Sequence, residues 1–111
     1  MDINLRANGN VMILDLQGNL TIGAAEEKLR HSVEQLVAND QNDLLINLEN
    51  VPMIDSSGIG SLVKSFTHAK NKGGKVKLLK PTRLARQLLS ITGLLSVFET
   101  FEDEATAVAS F

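Results

Sequence analysis

The chain has 111 residues, 43% of them hydrophobic and 22% charged, with a formal net charge of -2; this is the make-up of one folded domain, and it excludes both a disordered tail and a second core. It has no cysteine, which removes disulfides, thiolate catalysis and cysteine-held zinc together, and its four Phe with no Trp or Tyr leave little surface on which bases could stack. The slightly acidic balance also argues against a binder of phosphate backbones, so nucleic acid is not an expected partner.

The N-terminus, MDINLRANGNVMILDLQGNL, has no basic start followed by an apolar run. No stretch approaches the roughly 18 apolar residues of a spanning helix, so a cytoplasmic protein without a membrane partner is expected. Residues 3–7 and 11–16 are short apolar-rich segments on either side of Asn8, Gly9 and Asn10, residues that tolerate positive φ; they predict an antiparallel hairpin. From Ala24 to Asn39, Leu29, Val33, Leu36 and Val37 fall at helical spacing with charges between them. LLINL at 44–48 is too short for a stable helix and reads as a strand buried on both faces.

A second helix follows residues 54–60, with Ile59, Leu62, Val63 and Phe66 on one face and Ser57, Ser61, Lys64 and His68 on the other; Gly73 and Gly74 close it. KVKLL at 75–79 is the next strand, and Pro81 and Thr82 introduce a helix through Leu84, Leu88 and Ile91. SVFETF at 96–101 reads as a last strand. A short helix over 102–110 follows, its start marked by Glu102, Asp103 and Glu104 against the positive end of the dipole. The order implies an α/β fold in one domain over residues 1–111: a mixed, mostly parallel sheet of about five strands with an N-terminal antiparallel pair, and about four helices.

Residues 54–60, IDSSGIG, lie in a strand-to-helix loop, where the functional crevices of open α/β sheets are found. Asp55 or Ser56 can cap the free N–H groups of the helix that follows. Catalytic readings do not assemble. A phosphate loop needs a Lys directly after its second glycine, whereas none follows until Lys64; a nucleophile elbow needs a glycine two positions before the serine. The only histidines, His31 and His68, fall at exposed helical positions, and no carboxylate pair marks a cleft, so no enzyme, metal site or cofactor is expected. What remains is a hydroxyl at an exposed helix N-terminus. A phosphoryl group there is tolerated by the helix dipole, yet gives a contact surface about -1.5 to -2 of charge.

VPMIDSSGIGSLVKSF resembles the signature of the STAS domain in bacterial anti-sigma factor antagonists, and LQGNLT, LLINLENV, NKGGKVKLL and the segment 88–111 extend the similarity over essentially the whole chain. The resemblance implies a STAS fold with helices packed largely on one side of the sheet. It implies a binding module without catalytic activity that sequesters an anti-sigma factor, often also a serine kinase, and so frees a sigma factor. Phosphorylation by that kinase dissociates the pair, and a PP2C-type phosphatase reverses it. The residue modified in the family is the first Ser or Thr after the signature Asp, here Ser56, with Ser57 beside it as the alternative. The partner surface expected on this reading comprises Asp55, Ser56, Ser57, Gly58, Gly60, an exposed Ser61, Lys64 and Thr21, with the two glycines permitting close approach. Many members carry Asp where Thr21 stands, so the contacts of that carboxylate are missing here. The other reading is a STAS scaffold or subunit that docks a partner without a phosphorylation cycle, as in stressosome-like or lipid-transport complexes.

Overall fold

The computed structural model describes residues 1–111. In chain order they form β1 (Asp2–Asn8), β2 (Val11–Gln17), α1 (Ala24–Ala38), β3 (Asp43–Asn50), α2 (Ser56–Asn71), β4 (Lys75–Leu79), α3 (Arg83–Ile91), a 3₁₀ turn (Leu94–Ser96), β5 (Thr100–Phe101) and α4 (Glu104–Ala109). The five strands make one sheet in sequence order; β1 and β2 are antiparallel and every later pair is parallel. This is the expected α/β architecture, with each parallel step bridged by a helical crossover or the turn after α3.

Strand alternation divides the core in two. Leu14, Ile46 and Leu78 stand in register across β2, β3 and β4, and with Leu44, Leu48 and Val76 they pack beneath α1, α2 and α3. The predicted stripe of α1, Leu29, Val33, Leu36 and Val37, is the face that is buried. Each such side chain removed from water contributes about 1.5–3 kcal/mol, so these helices are held by packing rather than by propensity. On the opposite face Val11, Ile13, Leu45 and Leu79 are covered by Ala107 of α4 and by Phe101, Val108 and Phe111.

The rest of that second face is polar. Arg6 Nε donates to Asp15 Oδ2 at 2.6 Å and Arg6 Nη2 to Glu104 Oε1 at 2.5 Å, while Asn47 Nδ2 donates to Asp15 Oδ1 at 2.9 Å. The ion pair with Arg6 holds the Glu104 carboxyl below its ordinary range. Burial pushes Asp15 the other way, but its bonds from Arg6 and Asn47 outweigh that and leave it lowered too. On the same face, Lys77 of β4 is buried, its Nζ donating to the Ser110 carbonyl at 2.8 Å and lying 4.8 Å from the Phe111 ring centroid. Lys77 thereby ties down the end of α4.

Three expectations need correction. The strand expected at 96–101 is only Thr100–Phe101, because Phe98 turns into the main core, its ring centroid 5.4 Å from that of Phe66, and the chain before it winds into the 3₁₀ turn. In α3 the expected Leu84 and Leu88 are half-buried against the core beside the buried Ala85 and Leu89, but Ile91 is 80% exposed. The last helix is shorter than 102–110, because Asp103 stands outside it as its cap, accepting from Thr106 N at 2.9 Å. Elsewhere the stop and start signals match: Gly73, at φ 81, takes the left-handed position past α2, and the Thr82 side chain caps α3.

Candidate partner-binding site

The parallel strands β2 and β3 leave the sheet at the same end, and their continuations stay laced together. Gly18 N donates to Asn50 O at 3.0 Å and Leu20 N to Met53 O at 2.9 Å, and Leu20 and Ile54 form a parallel bridge. Leu20, Val51 and Ile54 are buried beneath these loops and peg them to the core. Two segments distant in sequence, 18–22 and 50–55, therefore form one ordered rim.

Asp55 joins that rim to α2. It sits in extended conformation at the N-cap, with Oδ1 accepting from Gly58 N at 2.8 Å and Oδ2 from Ile22 N at 3.0 Å. The Gly58 N–H, and after it the Ile22 N–H, hold this carboxyl below the usual aspartate range. Of the two capping candidates in IDSSGIG, the cap is Asp55. Ser56 is consequently the first residue of the helix, and it is exposed; Ser57 is half-buried.

Two of the expected surface residues turn inward. Gly58 is buried, and a Cβ there would lie 2.1 Å from Leu20 O and 2.8 Å from Ile54 Cγ1, so its lack of a side chain serves the approach of α2 to its own rim, not that of a partner. Ser61 is only 2% exposed; its hydroxyl donates to Gly58 O at 2.7 Å, which satisfies it within the helix. Gly60 does face open space, with nothing within 4 Å of a Cβ built on it. Lys64 is exposed, its Nζ 4.0 Å from Glu26 Oε1 of α1, and Thr21 is half-buried on the rim next to Ile22. The structure thus brings together Thr21, Asp55, Ser56, Ser57, Gly60 and Lys64, and takes Gly58 and Ser61 into the interior.

Sequence reasoning missed two residues. Ile22 is 76% exposed and Met53 53% exposed, one on each segment of the rim. Strand-like alternation outward from a buried Ile54 was the available signal for Met53; Ile22 had none, since its exposure depends on the loop being held by Asp55. For acid–base chemistry the rim has little to offer: His31 and His68 belong to the bodies of α1 and α2, and no three His, Cys, Asp or Glu side chains gather to hold a metal.

The STAS domain model matches residues 2–107 of this chain. The chain is 29% identical over 99 residues to the anti-sigma-B factor antagonist of Bacillus subtilis (strain 168), covering 89% of each chain. Among solved structures, an anti-sigma-factor antagonist (STAS) domain protein from Planctomyces limnophilus superposes with a TM-score of 0.86 at 20% identity, over 99% of this chain and 97% of that one. The Bacillus cell fate determinant SpoIIAA in its phosphorylated form superposes with a TM-score of 0.77 at 21% identity, over 98% of both chains. These structural likenesses show the fold.

Proposed function

The chain belongs to the STAS domain family, and from that membership we propose that it is an anti-sigma factor antagonist switched by phosphorylation of Ser56. Unmodified, it holds an anti-sigma factor that is also a serine kinase, and the sigma factor is free. Phosphorylated, it lets that partner go, and a PP2C-type phosphatase resets it. The chain acts by binding and supplies the substrate serine; the chemistry belongs to its partners.

The observation that carries this reading is the placement of Ser56. Its hydroxyl stands in solvent at the first position of α2 while Asp55 already occupies the Gly58 N–H. A phosphoryl group there adds about -1.5 to -2 of charge beside the Asp55 carboxylate without displacing anything from the core. The surface changes and the fold does not. The half-buried state of Ser57 supports Ser56 as the acceptor of the two. A relative named as an anti-sigma-B factor antagonist, aligned over most of both chains, supports the identity of the partner class.

The test is incubation with the cognate kinase and ATP, followed by peptide mass mapping and a pull-down of variants. Phosphate is expected on Ser56, Ser56→Ala is expected to bind without being released, and Ser56→Asp to lose binding. Phosphate found only outside residues 56 and 57, or a Ser56→Asp chain that binds like wild type, refutes the proposal.

A further inference from the structure

The outer edge of β4 is only half covered. Residues 76, 78 and 80 turn their backbone groups away from β3, and Leu78 N donates to Glu99 O at 3.0 Å and Lys80 N to Phe101 O at 2.7 Å. The next bonds back along that ladder, Val76 N to Val97 O and Glu99 N to Val76 O, are not made. Phe98 has turned into the core and the chain before it winds into the 3₁₀ turn, so no strand flanks Val76 on this side. A cavity of about 300 Å³ opens there, lined by Phe66 and Lys70 of α2, Lys75 and Val76 of β4, and Val97 and Glu99.

The charge around this gap is one-sided. Residues 56–98 include eight Lys and Arg and no Asp or Glu, so the net charge of -2 hides a basic stretch that runs from α2 past the 3₁₀ turn. Lys64, Lys77, Lys80 and Arg86 pair with carboxylates outside that stretch. Lys70, Lys72 and Lys75 do not; all three are exposed and have no ion-pair partner. Glu99, the one acid at the gap, is taken by Lys77 at 3.3 Å.

We propose that this edge docks an extended acidic segment of a partner protein, which adds a strand beside Val76 and seats one apolar side chain against Phe66 and Val97. The Val76 N–H and carbonyl supply the pairing, the cavity takes the side chain, and Lys70 and Lys75 select for carboxylates beside it. A second copy of the same edge does not fit, since its lysines would face these. The site stands apart from Ser56: at 1.5 Å of rise per residue, Lys70 lies about 21 Å along α2 from that serine. A chain held at one end of α2 is thus open to a second partner at the other.

The probe is a labelled peptide of alternating Glu and Val, about eight residues long, with a peptide of alternating Lys and Val as its counterpart. Binding is read by fluorescence anisotropy and by amide hydrogen exchange of the intact chain. The acidic peptide is expected to bind with Kd below about 1 mM and to slow exchange of the Val76 N–H at least about tenfold, leaving the Ile22 and Gly58 N–H groups unchanged. Lys70→Glu/Lys75→Glu is expected to raise Kd at least about tenfold, whereas Lys28→Glu/Arg83→Glu, an equal change of charge at exposed positions elsewhere, alters it less than about twofold. Ser56→Asp is expected to bind the peptide like wild type. No binding by about 1 mM, equal affinity for the basic peptide, equal losses in the two double variants, or an unprotected Val76 N–H overturns the proposal and leaves the reading of Ser56 standing. Loss of the peptide in Ser56→Asp overturns the separateness of the two sites.

Discussion

Gly58 and Gly60 both lie in the first turns of α2, and a methyl group has opposite consequences at each. At Gly58 it meets the Leu20 carbonyl 2.1 Å away, which is backbone and can yield only by moving the rim that carries Thr21 and Ile22. Gly58→Ala is expected to cost about 1–3 kcal/mol, the range for overpacked interiors. Gly60→Ala meets open space and is expected to stabilise the helix by about 0.5–1 kcal/mol. Urea unfolding of the two variants decides it, and equal midpoints would mean that the close approach at Gly58 exerts no constraint. The sequence could not separate these glycines. That Asp-Ser-Ser starts a helix is local chemistry, legible in three residues; which side of that helix meets a loop from β2 is set by tertiary packing, and Ser61 was misplaced on the surface for the same reason.

Among the elements, those with long amphipathic patterns or clear caps were legible: the α1 stripe was read residue for residue, as were the bounds of β4. The end of the chain was less so, because β5 is two residues of pairing and the burial of Phe98 follows from Phe66, far away in sequence. α4 is an element of this weaker kind, six residues held to the sheet by the packing of Ala107 and Val108, by Arg6 on Glu104 and by Lys77 on the capping Ser110. Asp15 and Glu104 both have lowered folded pKa values, so their contribution to stability is present above about pH 4 and is lost as the pH falls through those lowered values. Arg6→Met removes the cation between two carboxylates, and with partly exposed groups the loss at pH 7 is expected to be about 1–2 kcal/mol. It is also expected to flatten the acid limb, since the two carboxyls no longer gain from ionising in the folded state. Denaturant titrations at pH 3, 5 and 7 test this; parallel losses at every pH would show that Arg6 acts only through its packing.

At the scale of the whole molecule, three helices share one face of the sheet and the proposed switch surface lies at the end where β2 and β3 run out. The surface is a meeting of distant parts, as the hydrogen bond between Ile22 and Asp55 spans 33 positions of chain. A synthetic peptide covering residues 51–64 holds Ser56 and Met53 but neither Ile22 nor the fold that presents them, and it is expected to be phosphorylated with kcat/KM at least about tenfold below the intact chain. Equal values would mean that the kinase reads linear sequence. The carboxylate of Asp55 thereby does something beyond capping. By clasping one loop to another it makes the presentation of Ser56 depend on native structure, so that, if Ser56 is the acceptor proposed above, an unfolded copy is expected to be a poor substrate.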